Sequence, residues 1–91
     1  MSVLNQDVEI INKLGLHARA AAALVRVTNQ FDSDITLAKG GIAVNAKSIL
    51  GMMTLAAGPG STIRVQCAGD DADAAMTAVI DCITNRFGEP E

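Results

Sequence analysis

His17 is the only histidine in the chain, and Arg19 follows two positions later. Both stand where a Gly-containing turn, Asn12-Lys13-Leu14-Gly15, gives way to an Ala-rich stretch with helical spacing. The start of a helix leaves its first backbone N–H groups without partners inside the helix. Those groups and the positive end of the helix dipole make an anion site. Arg19 adds a fixed cation whose fork suits phosphate oxygens. A neutral imidazole beside such a site is a nucleophile. Negative charge gained by attack on a phosphoryl donor would lie among the helix amides and Arg19, stabilising product and transition state alike and keeping the transfer reversible. A lone histidine at a helix start is more often a cap or a surface residue, and position alone leaves both readings open.

The elements that must hold this site follow from periodicity. Asp7–Ile11 alternates, with Val8 and Ile10 on one face, as a half-buried strand does. From Ala18 to Asn29, Ala21, Leu24, Val25 and Thr28 share one helical face. Asp34–Ala38 alternates around Ile35 and Leu37, Gly40-Gly41 reads as a hairpin turn, and Ile42–Ala46 is a second short strand. Lys47–Met53 suits a short helix with Ser48 as its N-cap. Ala57-Gly58-Pro59-Gly60 is a turn, and Thr62–Ala68 turns Ile63, Val65 and Cys67 inward. A last helix over Asp71–Phe87 keeps the stripe Ala72, Ala75, Met76, Val79, Ile80, Ile83 and Phe87, with Asp70, Asp71 and Asp73 complementing its N-terminus. The expected fold is α+β, an open-faced sandwich of a four-stranded, mostly antiparallel sheet with three helices on one face.

Composition narrows the function classes. Ninety-one residues suffice for one domain, 1–91, and a 49% hydrophobic content supplies an aliphatic core with two Phe and no Trp or Tyr. Ten acidic against seven basic residues give a formal charge of -3. That balance and the missing aromatics argue against nucleic acid as a partner. Cys67 and Cys82, without a CxxC or companion histidines, read as half-buried free thiols, and no metal or other cofactor is expected. No apolar run approaches the roughly 20 residues that cross a bilayer, and the start lacks the pattern of a signal peptide. Cytoplasmic location without membrane insertion is the expectation. Gly58-Pro59-Gly60-Ser61-Thr62 lacks the Lys and spacing of a phosphate-binding loop.

The segment Asn12-Lys13-Leu14-Gly15-Leu16-His17-Ala18-Arg19 resembles the active-site segment of the HPr family, the histidine phosphocarriers of the bacterial phosphotransferase system. Val44–Leu55 resembles the regulatory segment of the same family, and length and element order also match. The resemblance implies that His17 accepts a phosphoryl group on Nδ1 from phosphorylated Enzyme I and passes it to an enzyme IIA-type acceptor, with Arg19 as the charge clamp. It implies a recycled carrier and not a free-standing enzyme. The chain departs from the family in one place, since Ala20 stands where proline usually follows the arginine. Alanine adds a donor and frees the turn slightly, so phosphorylation is expected to persist with an altered rate or phosphate lifetime.

Ser48 has a sufficient role as a helix cap. The resemblance adds that the matching serine is the target of an ATP-dependent serine kinase in many bacteria. Ile49, Leu50 and Met53 cannot all point inward on so short a helix. Either two pack in the core and one is incidentally exposed, or they form an apolar docking patch with Ala18 and Ala22, which the resemblance favours. Two other functions stay open. One is a regulatory paralogue such as a nitrogen-branch carrier. The other is a non-catalytic binding module with an anion site at His17 and Arg19. A hydrolase using His17 as base lacks a second catalytic candidate.

Overall fold

The computed structural model of the chain describes residues 2–91. Its elements are β1 (Ser2–Glu9), α1 (Ala18–Thr28), β2 (Asp34–Lys39), β3 (Ile42–Asn45), α2 (Ile49–Met53), β4 (Thr62–Gly69), α3 (Ala72–Thr84) and a 3-10 turn at Arg86–Gly88. The strands form one sheet in the order β1-β4-β2-β3, and every neighbouring pair is antiparallel. Val8, Ile35, Leu37, Ile63, Val65 and Cys67 face the helices and are buried with Ala20, Ala21 and Leu24 of α1 and Ala72, Ala75, Met76, Val79 and Ile83 of α3. The intervening residues Asp7, Glu9, Thr62, Arg64 and Gln66 are exposed. The result is the expected open-faced α+β sandwich, with one sheet face covered by helices.

The boundaries differ from the periodicity where tertiary pairing takes over. The first strand begins at Ser2 and ends at Glu9, instead of running from Asp7 to Ile11. Its early half shows little alternation because β1 is an edge strand with a mostly exposed surface, and pairing from Ser2↔Gly69 to Glu9↔Thr62 recruits it. Ile10 remains fully buried beyond the strand end, where its N–H donates to Ser61 O and its carbonyl accepts from Gly60 N–H. Gly40 and Gly41 take φ of +57° and +82°, the two positive values of a type I′ hairpin turn. At the tip of that edge hairpin Ile42 is exposed, although it shares a phase with buried Ala46.

The short helix starts at Ile49, with Ser48 Oγ accepting from Gly51 N–H at 3.0 Å. Lys47 lies outside it, and its Nζ donates to Phe31 O at 2.7 Å. Thr28 Oγ1 donates to Ala46 O at 2.9 Å and ties the end of α1 to the end of β3. Cys67 is completely buried and only Cys82 is half-buried. Burial raises both thiols above the ordinary value, with the Asp71 charge adding to the effect at Cys67.

One expectation at the last helix needs correction. Helix α3 ends at Thr84, because Arg86, Phe87 and Gly88 all take positive φ and turn the chain back. Phe87 is buried regardless. Its spacing from Ile83 satisfied a helical stripe, and an apolar ring folded back onto the core satisfies it equally. Asp71 occupies the N-cap position of α3 but makes no side-chain cap bond. Its carboxylate instead accepts from Ser33 Oγ–H, Asp32 N–H and Ser33 N–H, pinning the α1–β2 loop to the start of α3. The Ser33 hydroxyl, followed by these amides, holds the Asp71 carboxyl below the usual aspartate range.

Candidate functional site

Gly15 sets the approach to the site. It takes φ of +70°, and a Cβ there would lie 2.6 Å from Ala57 O and 2.8 Å from Gly58 Cα. The turn therefore sits directly on the 57–58 backbone, and Leu16 N–H donates to Ala57 O at 2.8 Å. His17 follows in extended conformation as the N-cap of α1, and its carbonyl accepts the first helical bond from Ala21 N–H at 2.9 Å. The imidazole Nδ1 accepts a long bond from Arg19 N–H at 3.3 Å. On the other side of the ring, Nε2 lies 2.5 Å from Glu89 Oε2.

A carboxylate can only accept, so this contact assigns the ring proton to Nε2 and leaves the Nδ1 lone pair at the helix start. The second Glu89 oxygen accepts from Asn12 Nδ2–H at 2.8 Å, and the same amide donates to Gly15 O at 2.8 Å. Asn12 is fully buried, and its Oδ1 has no protein partner. Partial burial alone would raise the Glu89 carboxyl. The hydrogen bonds from Asn12 and His17, with the nearby Arg19 charge, outweigh it and hold Glu89 below the usual glutamate range.

Glu89 reaches His17 because of the left-handed turn after α3. Arg86 and Phe87 have φ of 55° and 54°, a conformation that costs on the order of 1–2 kcal/mol for each non-glycine residue. Burial of the Phe87 side chain offsets that by roughly 1.5–3 kcal/mol. Beyond Glu89, Lys13 N–H donates to Glu91 O at 3.1 Å. Lys13 Nζ pairs with Glu91 at 3.4 Å on the exposed surface, where such a pair contributes little. Lys13, Leu14, Arg19, Glu89, Pro90 and Glu91 enclose an open groove of about 340 Å³ beside the ring.

Sequence reasoning missed Glu89. It is 72 positions from His17 in a Gly-Glu-Pro tail that carries no periodicity, so no local signal pointed to it. The other candidates fall as follows. Arg19 is exposed on the first turn of α1 and lines the same groove as Glu89. Ala20, where the family usually has proline, is the third residue of α1 and is fully buried. Ser48 caps α2, which lies against α1. Of the five patch residues, Ala18, Ile49, Leu50 and Met53 are exposed and Ala22 is half-buried. The alternative in which two of Ile49, Leu50 and Met53 enter the core does not hold, since Met52 takes the inward position.

Among the described residues, no cluster of three or more His, Cys, Asp or Glu could hold a metal ion, and no helix is long and apolar enough to cross a membrane.

Comparison with known proteins places this geometry. Residues 4–85 match the family described as PTS HPr component phosphorylation site. A protein of Cupriavidus necator named phosphocarrier protein HPr is 49% identical over 89 residues, covering 98% of this chain and 100% of that protein. A protein of Shewanella violacea named phosphocarrier protein NPr is 43% identical, covering 98% of each. The crystal structure of HPr-C-His from Thermoanaerobacter tengcongensis matches with a TM-score of 0.89 at 41% identity, covering 100% of both chains. The chain belongs to the HPr family, the phosphocarriers of the phosphotransferase system, which are carriers and not enzymes.

Proposed function

We propose that His17 is the phosphoryl acceptor of this carrier, that Nδ1 is the atom that bonds phosphorus, and that Arg19 clamps the transferred group. The observation that carries this reading is the Nε2 contact with Glu89. It leaves the Nδ1 lone pair facing the amide end of α1, where an anion is favoured. Phosphorylated Enzyme I is the donor and enzyme IIA-type proteins are the acceptors, all in the cytoplasm, with residues 1–91 acting as one domain. Partners dock on Ala18, Ala22, Ile49, Leu50 and Met53, which lie on two helices that pack together. Ser48, at the cap of α2 in the midst of that surface, is the regulatory site. A phosphate from a serine kinase there would place charge where partners need apolar contact.

Incubation with phosphoenolpyruvate and Enzyme I tests the reading. The parent should gain one acid-labile phosphate and His17→Ala none. A folded parent that gains no phosphate, beside an active Enzyme I control, would be a binding module with an anion site. A regulatory paralogue such as a nitrogen-branch carrier is the second reading, supported by the 43% identity to a protein named phosphocarrier protein NPr. Both use His17, and the preferred acceptor in a panel of IIA proteins separates them.

A further inference from the structure

We propose that the backbone N–H of Ala20 is a ligand of the phosphoryl group on His17, so that the loaded carrier lies lower in free energy than it would without that donor. The inference rests on His17 being the phosphoryl acceptor, and it makes the third residue of α1 part of the site.

Three amides open α1, those of Ala18, Arg19 and Ala20, and the first helical bond comes only from Ala21 N–H. Their surroundings differ. Ala18 is exposed, so water meets its N–H. Arg19 N–H reaches Nδ1 of His17 at 3.3 Å. Among the described residues nothing accepts from Ala20 N–H, and Ala20 is 0% exposed, so solvent does not satisfy it either. Buried backbone donors are almost always paired, and this orphan lies in the same turn as the nucleophilic nitrogen. The Ala20 methyl belongs to the core with Ala21 and Leu24, which fixes the 19–20 peptide and keeps the donor from turning away.

Loading supplies the missing acceptor. The Nδ1 lone pair forms the N–P bond while the bond from phosphorus to the donor breaks, its electron pair leaving with the donor. The lone pair that Arg19 N–H engages is thereby consumed. Because that N–H stands 3.3 Å from Nδ1, phosphorus seats only if the ring withdraws from the helix start. Withdrawal leaves the Arg19 and Ala20 amides facing the phosphoryl oxygens. Arg19 exchanges a long bond to nitrogen for a charge-assisted one. Ala20 gains a bond without giving one up, so its whole contribution falls on the loaded state. No proton moves at either amide. In unloading, the electrons of the N–P bond return to Nδ1 and Ala20 N–H loses its acceptor again.

The test compares the parent with a synthetic chain carrying L-lactic acid in place of Ala20, which keeps the methyl and deletes the N–H. Ala20→Gly is the control, since it keeps the N–H, deletes the methyl and also loosens the helix. Each is equilibrated with Enzyme I at a fixed ratio of phosphoenolpyruvate to pyruvate, and the loaded fraction gives the transfer equilibrium. The ester chain should hold phosphate roughly tenfold less favourably, the effect of losing one hydrogen bond to a charged group. Ala20→Gly should keep the parent's equilibrium. In the parent itself the Ala20 amide proton should move strongly downfield on loading, a measurement that needs no variant and decides the matter if the ester chain does not fold. An Ala20 amide unmoved by loading, an ester chain with the parent's equilibrium, or an equal fall in Ala20→Gly overturns the role of Ala20 and leaves the carrier standing. A parent that gains no phosphate overturns both.

Discussion

Replacing Gly15 by alanine would test how the His17 approach is built. Two independent effects act there. The backbone at φ +70° costs an alanine roughly 1–2 kcal/mol. The new Cβ would also meet Ala57 O at 2.6 Å and Gly58 Cα at 2.8 Å, both backbone atoms that cannot swing aside. Overpacking of that kind adds about 1–3 kcal/mol, for a total of about 2–5 kcal/mol. Gly40→Ala is the control, since Gly40 also has positive φ but nothing within 4 Å of its would-be Cβ. That variant should lose only the roughly 1–2 kcal/mol backbone cost. Urea unfolding at constant m-value reads both. Gly15→Ala should also melt roughly 8 °C or more below the parent. In the fraction that folds, displacement of the Leu16–Ala57 tether should move the ring and slow loading, by up to about a hundredfold for a shift near 1 Å. Equal losses for Gly15→Ala and Gly40→Ala would refute the close approach of the turn to the 57–58 backbone.

Leu50 is 78% exposed, so Leu50→Asp should leave the melting temperature nearly unchanged while slowing transfer to and from partners. Unchanged transfer kinetics would remove the docking patch. Ser48→Ala deletes the cap on Gly51 N–H and should cost about 1 kcal/mol by denaturant unfolding without preventing phosphorylation of His17. Asp71 has a lowered folded-state carboxyl. Its stabilisation is therefore complete above the ordinary aspartate value near pH 4 and is lost as pH falls through the folded value. Asp71→Asn should be less stable than the parent at pH 7, and the gap should close on acidification; a gap independent of pH would contradict the role given to its hydrogen bonds.

Local periodicity carries most of the fold. The alternation of Ile63, Val65 and Cys67 and the helical face of Ala21, Leu24 and Thr28 are enforced by a single buried side, so the pattern and the structure coincide. Residues 2–6 escape that logic because an edge strand exposed on most positions leaves no alternation to read. Phe87 misleads for the opposite reason, since a buried ring at helical spacing lies in a left-handed turn. At the site, His17 and Arg19 are legible because a helix start is a local feature. Glu89 and the Asp71–Ser33 contact are not, because their partners are joined only by the way the tail and the α1–β2 loop fold back.

The most direct single measurement is the nitrogen that carries phosphorus. With one histidine in the chain, selective ¹⁵N labelling of histidine gives one ring to observe after incubation with Enzyme I and phosphoenolpyruvate. Coupling of phosphorus to Nδ1, with the proton retained on Nε2, is the expected result. Phosphorus on Nε2, the nitrogen engaged by Glu89, or a ring left unmodified while phosphate resides elsewhere, would contradict the site as described.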